Sequence, residues 1–297
     1  MMTNGLLLVH AHPDDECFAT AGLIARSVAE GRRVDLVTCT GGEEGEIHDP
    51  DLDPEEAQPR LREIRRAELE CSVEALRGTG PGTLELHLLG YRDSGMMGTE
   101  SNQRPDVFWN ADLDGATGKL VEIVRRVRPR AMVSYDSNGN YGHPDHINAH
   151  RIAVAAWDAA ADPGRYPEAG EPHAVEKFYE VAFSRDAWKE LMAAMTERGI
   201  KLPWDEEAEQ RADEPESVDE EEWGVPAETI TTSVDVAAFY DQKRASMACH
   251  RTQRQDLGWV LDMPDDLARQ ASSPETLVLT RWRGRDIPAA YREDSIF

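Results

Sequence analysis

Long apolar runs are missing from this 297-residue chain, and none approaches the roughly twenty residues a membrane span needs. A basic N-terminal region followed by a small-residue cleavage site is missing too, so the expectation is a cytoplasmic protein without membrane contact. Bases are few: five lysines and 27 arginines stand against 57 acids. The resulting net charge of −25 repels phosphate backbones and anionic bilayers, so the expectation is no nucleic-acid partner. The four cysteines (Cys17, Cys39, Cys71 and Cys249) contain no CxxC pair. Their spacing argues against a structural zinc ribbon and predicts reduced thiols rather than a disulfide framework. Glycine is sparse where a dinucleotide site would need it, because the first apolar strand leads into no GxGxxG.

What is present is an ordinary globular composition, 40% hydrophobic and 30% charged, and a length that buries an ample core. Short apolar runs alternate with amphipathic stretches through the first half. "LLLVH" reads as strand one, then a helix from about Cys17 to Glu30, then "VDLVTCT" (Val34 to Thr40) as strand two. A charged helix from about Glu55 to Leu76 precedes "TLELHLLG", and another from about Ala116 to Val127 precedes "AMVSYD" (Ala131 to Asp136). A further helix opens at Pro144. This alternation predicts an α/β fold: a Rossmann-like, mostly parallel sheet with helices on both faces, whose ligands collect beyond the carboxyl ends of the strands. A smaller, irregular C-terminal part follows, with strands at "VEKFYEVAFS", "ETITTSVDV" and "ETLVLTRWR" and a helix at "AAFYDQKRASMACH". The expectation is one domain over 1–297, with a core at 5–170 and a C-terminal part at 171–297. Within that part Asp205 to Glu222 holds eleven acids and one arginine, the composition of a solvated loop.

Two stretches carry chemistry. Strand one ends at His12-Pro13-Asp14-Asp15-Glu16, and strand four is followed by Asn138-Gly139-Asn140-Tyr141-Gly142-His143-Pro144-Asp145-His146. Both join a strand to a helix, so both should reach the same sheet edge. Three like charges at the end of a buried strand repel one another unless something positive sits among them. Imidazole and carboxylate are what Zn²⁺ takes, with three protein ligands and an open position in a catalytic site. His12 and Asp15 can point at one ion, with His146 or His143 as the third ligand, which leaves Asp14 as a general base. Read alone, the first motif is also a plausible helix cap, and the parallel second motif is what favours metal. His146 and His150 lie four apart, but the Glu of an HExxH site is absent, so His150 reads as a supporting helix-face residue. His10 reads as packed rather than ligating, Cys17 as a small buried apolar group, and "TGGEEGE" as a loop at the pocket rim.

"AHPDDE" and "HPDH", together with "TGGEEGE", "REIRRAEL", "YRDSGM" and "SYDSNGNYGHPDH", resemble the PIG-L/LmbE-like zinc-dependent de-N-acetylases over about Leu6 to Ala160. Within that family the chain is most similar to the mycothiol enzymes, the glucosaminyl-inositol deacetylase and the S-conjugate amidase. The resemblance implies one Zn²⁺ held by His12, Asp15 and His146, with Asp14 as base. It implies that His143 stabilises the oxyanion or protonates the leaving amine, held by Asp145, while Tyr141 polarises the acetyl carbonyl. It also implies Arg65, Asp93 and Glu46 as contacts to an amino-sugar substrate, and it allows a homo-oligomer. The activity it implies is removal of acetyl from an N-acetylglucosaminyl small molecule, with amidase or deacylase action on a larger amide as the neighbouring alternative. A non-catalytic Rossmann-like binding protein is the alternative of another class.

Overall fold

Leu6–His10 (β1) is buried along its whole length, and successive residues serve opposite faces of the sheet. Leu7 and Val9 pack with the helices Leu113–Val127 and Pro144–Ala159, whereas Leu6 and Leu8 pack with Ala21–Ala29 and Leu61–Arg77. A strand covered on both faces has no room for polar alternation, which is why "LLLV" reads as a continuous apolar run.

The protein is described by a computed structural model over residues 5–200 and 224–297. Among the described residues seven strands form one sheet in the order β3-β2-β1-β4-β5-β7-β6. They are β1, Arg33–Thr40 (β2), Thr83–Tyr91 (β3), Ala131–Ser134 (β4), Lys177–Val181 (β5), Thr232–Val234 (β6) and Glu275–Trp282 (β7). The first five run parallel, while β7 lies antiparallel to β5 and β6. The α/β, mostly parallel architecture is the one the alternation implied. Chain order reverses between β1 and β4, so the crevice beyond their carboxyl ends is the switch point where such sheets bind ligands. No helix among the described residues is long and apolar enough to cross a membrane.

The structure departs from the sequence reading in four places. The helix expected at Cys17–Glu30 is two, Asp15–Ala19 and Ala21–Ala29, broken at Thr20, whose hydroxyl turns back to the Glu16 carbonyl at 3.2 Å. The charged helix starts late, at Leu61, because a short turn capped by Asp53 and a 3₁₀ segment around Pro59 precede it. Helices at Arg185–Glu197, Arg254–Asp262 and Asp265–Ser272 were not anticipated. Finally, the cysteines are not all reduced: Cys71 and Cys249 form a disulfide that ties Leu61–Arg77 to the helix Tyr240–Cys249, while Cys17 and Cys39 are buried free thiols. Spacing along the chain could not show this, since the bridge joins residues 178 apart. The acidic stretch 205–222 lies outside the described residues.

Candidate active site

Four segments converge at the switch point. The β1 exit supplies His12, Asp14 and Asp15, and the loop after β3 supplies Asp93 and Ser94. The turn after β4 supplies Tyr135, Tyr141 and His143, and the first turn of Pro144–Ala159 supplies Asp145 and His146. Pro144 stands at the first helical position, where its missing N–H costs nothing. His143 caps that helix, its Nδ1 accepting from the Asp145 N–H at 3.1 Å. Gly139, at φ 63°, lets the preceding turn lie on the helix. A Cβ there would stand 2.6 Å from the His146 Cβ.

His12 Nδ1 lies 3.2 Å from His146 Nε2 and 3.6 Å from Asp15 Oδ2, and His146 Nε2 lies 3.4 Å from Asp15 Oδ1. Bonds of about 2.0–2.1 Å to a tetrahedral ion would hold ligand atoms about 3.3–3.4 Å apart. The other His12 nitrogen, Nε2, faces Asp145 Oδ2 at 3.2 Å and Asp93 Oδ1 at 3.7 Å. A carboxylate on the far ring nitrogen fixes the tautomer that leaves Nδ1 as a lone pair, as metal-bound imidazoles require. The donor set therefore fits a divalent cation. His143 also lies within range, its ring 4.5 Å from that of His12.

The field at this point favours positive charge. Burial works against protonation of His12, yet Asp93, Asp145 and Asp15 outweigh it and raise its pKa well above the usual imidazole value. Burial likewise opposes ionisation of Asp15, but His146 and His12 hold its carboxyl well below the usual range. The two other imidazoles move the opposite way. Burial, with His12 and His146 beside it, pushes His143 down to about 3, and burial pushes His146 down to about 4. His143 is thus neutral at pH 7, and because its Nδ1 accepts from a backbone N–H, its proton sits on Nε2.

Asp14 stands beside this cluster with φ 123°. Such backbone is sparsely populated for a residue with a Cβ and costs on the order of 1–3 kcal/mol. Its carboxylate accepts from Arg65 at 2.8 Å. Burial pushes Asp14 up to about 7 despite that guanidinium, near the value a general base needs at neutral pH.

Some expected residues stand elsewhere in the network than the family pattern implied. Arg65 is buried, and it donates to the Gly42 carbonyl, the Pro13 carbonyl and Asp14. It grips the loop that carries Asp14 as well as lining the cleft. The Asp145 carboxylate meets His12 and both the N–H and hydroxyl of Ser94, so His143 is held by the Asp145 main chain, not by its side chain. Asp93 accepts from the Glu44 and Gly95 N–H groups and so braces two loops. Burial opposes its ionisation, but His12 and the Gly95 N–H hold it well below the usual carboxyl range. Tyr141 and Glu46 line the cleft, Glu46 with its side chain largely in solvent, 3.0 Å from His48. His10 packs against Thr20 at 3.0 Å, and His150 bonds to the Tyr135 carbonyl at 2.8 Å.

Tyr135 was missed. Its hydroxyl bridges the Ala11 N–H and Asp15 Oδ2, both at 2.7 Å, and its ring stacks on His146 at 4.1 Å. Its place straight after β4 was the available signal. Gln253, Leu257 and Trp259, which close one wall of the cleft, carried none. The cleft holds about 510 Å³ and opens to solvent, a size for a small molecule.

An open α/β sheet with a buried His/Asp donor cluster and an adjacent carboxylate at its switch point defines a class: Rossmann-like proteins equipped to carry a metal centre. The family model for the PIG-L, or GlcNAc-PI, de-N-acetylases matches residues 7–157, and the chain belongs to that family. It is 41% identical over 298 residues to a 1D-myo-inositol 2-acetamido-2-deoxy-alpha-D-glucopyranoside deacetylase of Geodermatophilus obscurus, covering 98% of this chain and 96% of that one. Its identity to the protein of the same name from Acidothermus cellulolyticus is 40%, covering 100% and 95%. Among solved structures it resembles the N,N'-diacetylchitobiose deacetylase of Pyrococcus horikoshii, with a TM-score of 0.58, 17% identity and coverage of 93% and 84%. The fold also matches GalB, a 4-carboxy-2-hydroxymuconate hydratase, with a TM-score of 0.59, 18% identity and coverage of 96% and 100%. Fold alone therefore does not choose the reaction.

Proposed function

We propose that the chain is a zinc-dependent N-deacetylase that removes acetyl from an N-acetylglucosaminyl-inositol-like small molecule. The observation that carries this is the convergence of His12 Nδ1, His146 Nε2 and Asp15 at tetrahedral spacing, with Asp14 alongside. Relatives about 40% identical over the whole chain bear that activity in their names.

His12, Asp15 and His146 would hold one Zn²⁺, which supplies Lewis acidity toward the amide carbonyl and the attacking water. Asp14 takes the proton of that water and passes it to the departing nitrogen. The neutral His143 offers its Nε2–H to the carbonyl oxygen as negative charge develops there. A group whose second proton comes on only near pH 3 serves better as a hydrogen-bond donor than as the acid for the amine. Tyr141 at the cleft mouth is the second donor to that oxygen. Tyr135 and Asp145 keep Asp15 and His12 aimed. Asp93, Arg65 and Glu46 line the space left for the sugar and its aglycone.

The test is release of the free glucosamine amine by zinc-reconstituted protein from N-acetylglucosaminyl-inositol, a mycothiol S-conjugate and N-acetylglucosamine. The expected order places the inositol glycoside first. Faster cleavage of the conjugate would move the assignment to the amidase, and no cleavage of any would overturn the reaction.

A further inference from the structure

We infer that Glu16, held by His250 and Ser72, is the positioning residue that keeps Asp14 in its working conformation, so that the C-terminal part of the chain takes part in aiming the base. This rests on the reading of Asp14 as the general base.

Glu16 has no exposed surface and does not reach the cleft. One oxygen, Oε2, accepts the Asp14 N–H at 3.0 Å. The other, Oε1, accepts from the Ser72 hydroxyl at 2.5 Å and from His250 Nε2 at 2.7 Å. Ser72 also meets Ser246 at 2.6 Å. The carboxylate is therefore fixed by two helices far apart in sequence, and it fixes one peptide unit in turn. That unit is the one at φ 123°, a conformation that persists only where surrounding bonds impose it. On its other side the Asp14 carbonyl accepts from the Cys17 N–H at 3.0 Å and from its thiol at 2.9 Å. Arg65 draws the Asp14 side chain one way while Glu16 holds its backbone.

The Cys71–Cys249 bridge joins the residues immediately before Ser72 and His250. It pins together the two helices that present the donors to Glu16. A stability role alone would not require a buried acid to bond to the peptide N–H of the residue beside the metal donors.

The experiment compares Glu16→Ala, Glu16→Gln and Ser72→Ala in the full chain, each alone and combined with Asp14→Asn. Glu16→Ala should lower kcat about 100-fold, the usual cost of a misplaced group, with KM and zinc content unchanged. Glu16→Gln can still accept the Asp14 N–H and should recover most of that loss. In the Asp14→Asn background Glu16→Ala should add little, because the group it positions is already gone. An equal loss in both backgrounds would overturn the inference. If Glu16→Ala does not fold, Ser72→Ala is read the same way with a smaller loss. Hydrogen exchange of the Asp14 amide, measured by NMR, needs no reaction: it should accelerate in each folded variant, and unchanged exchange overturns the positioning role. Wild-type protein without deacetylase activity would overturn the function and leave that readout standing.

Discussion

Asp14 and His146 carry separate parts of the proposed chemistry. Asp14→Asn should keep the metal and lose about 100- to 10,000-fold in kcat, the range for removing a positioned general base. A loss within a few-fold, at full zinc content, moves the base elsewhere. The protein's own groups push Asp14 up to about 7, and a cation among the adjoining donors would pull the same carboxyl down. Because the carboxylate is the active form, kcat/KM should fall as pH drops through that lowered value, and the loaded enzyme's acid limb should lie below 7. A limb unchanged in Asp14→Asn would belong to another group. His146→Ala should lose zinc by elemental analysis, while His150→Ala, which removes a bond to the Tyr135 carbonyl and contacts with Glu180 and Phe178, should retain it. Equal retention in both would exclude His146 as a ligand. These residues were legible because a motif carries its chemistry with it. The Asp145–His12 and Arg65–Asp14 contacts were not, because they join residues 133 and 51 apart whose meeting depends on the whole sheet.

At the scale of the element, the strands were easy to read and the helices less so. Buried parallel strands show as apolar runs, and β1, β2 and β4 are buried along nearly their whole length. The helix Arg185–Glu197 carries a weak apolar stripe, and only Met195 of it is fully buried, so its signal stood barely above a loop. The disulfide is an element-scale feature as well, since it cross-links two helices packed beside the site. With Cys71 and Cys249 joined, the unfolded non-reduced protein should show two reactive thiols, from Cys17 and Cys39. Four reactive thiols would restore the reduced expectation. Cys249→Ser should lower unfolding free energy by about 2–4 kcal/mol, measured by denaturant titration.

At the scale of the molecule, the family motifs occupy residues 7–157, yet the core does not stop there. Phe178 and Val175 complete the packing on one face of the sheet, and Tyr179, Val234, Leu277, Leu279 and Ile296 complete it on the other. Every residue of β4 is buried, and β5 covers the edge that β4 would otherwise present. A chain cut after residue 170 would leave that edge unpaired and strip both faces of large apolar side chains, which favours edge-to-edge association over folding. It would also lose Gln253, Leu257 and Trp259 from the wall of the cleft and His250 from beside Glu16. We therefore expect the fragment 1–170 to show no cooperative thermal transition and no zinc-dependent deacetylation, while the full chain unfolds in a single step. Calorimetry of the two decides it. A fragment that melts cooperatively and binds one zinc would show that the first 170 residues form a domain in their own right, with the rest added only to shape the substrate's far side.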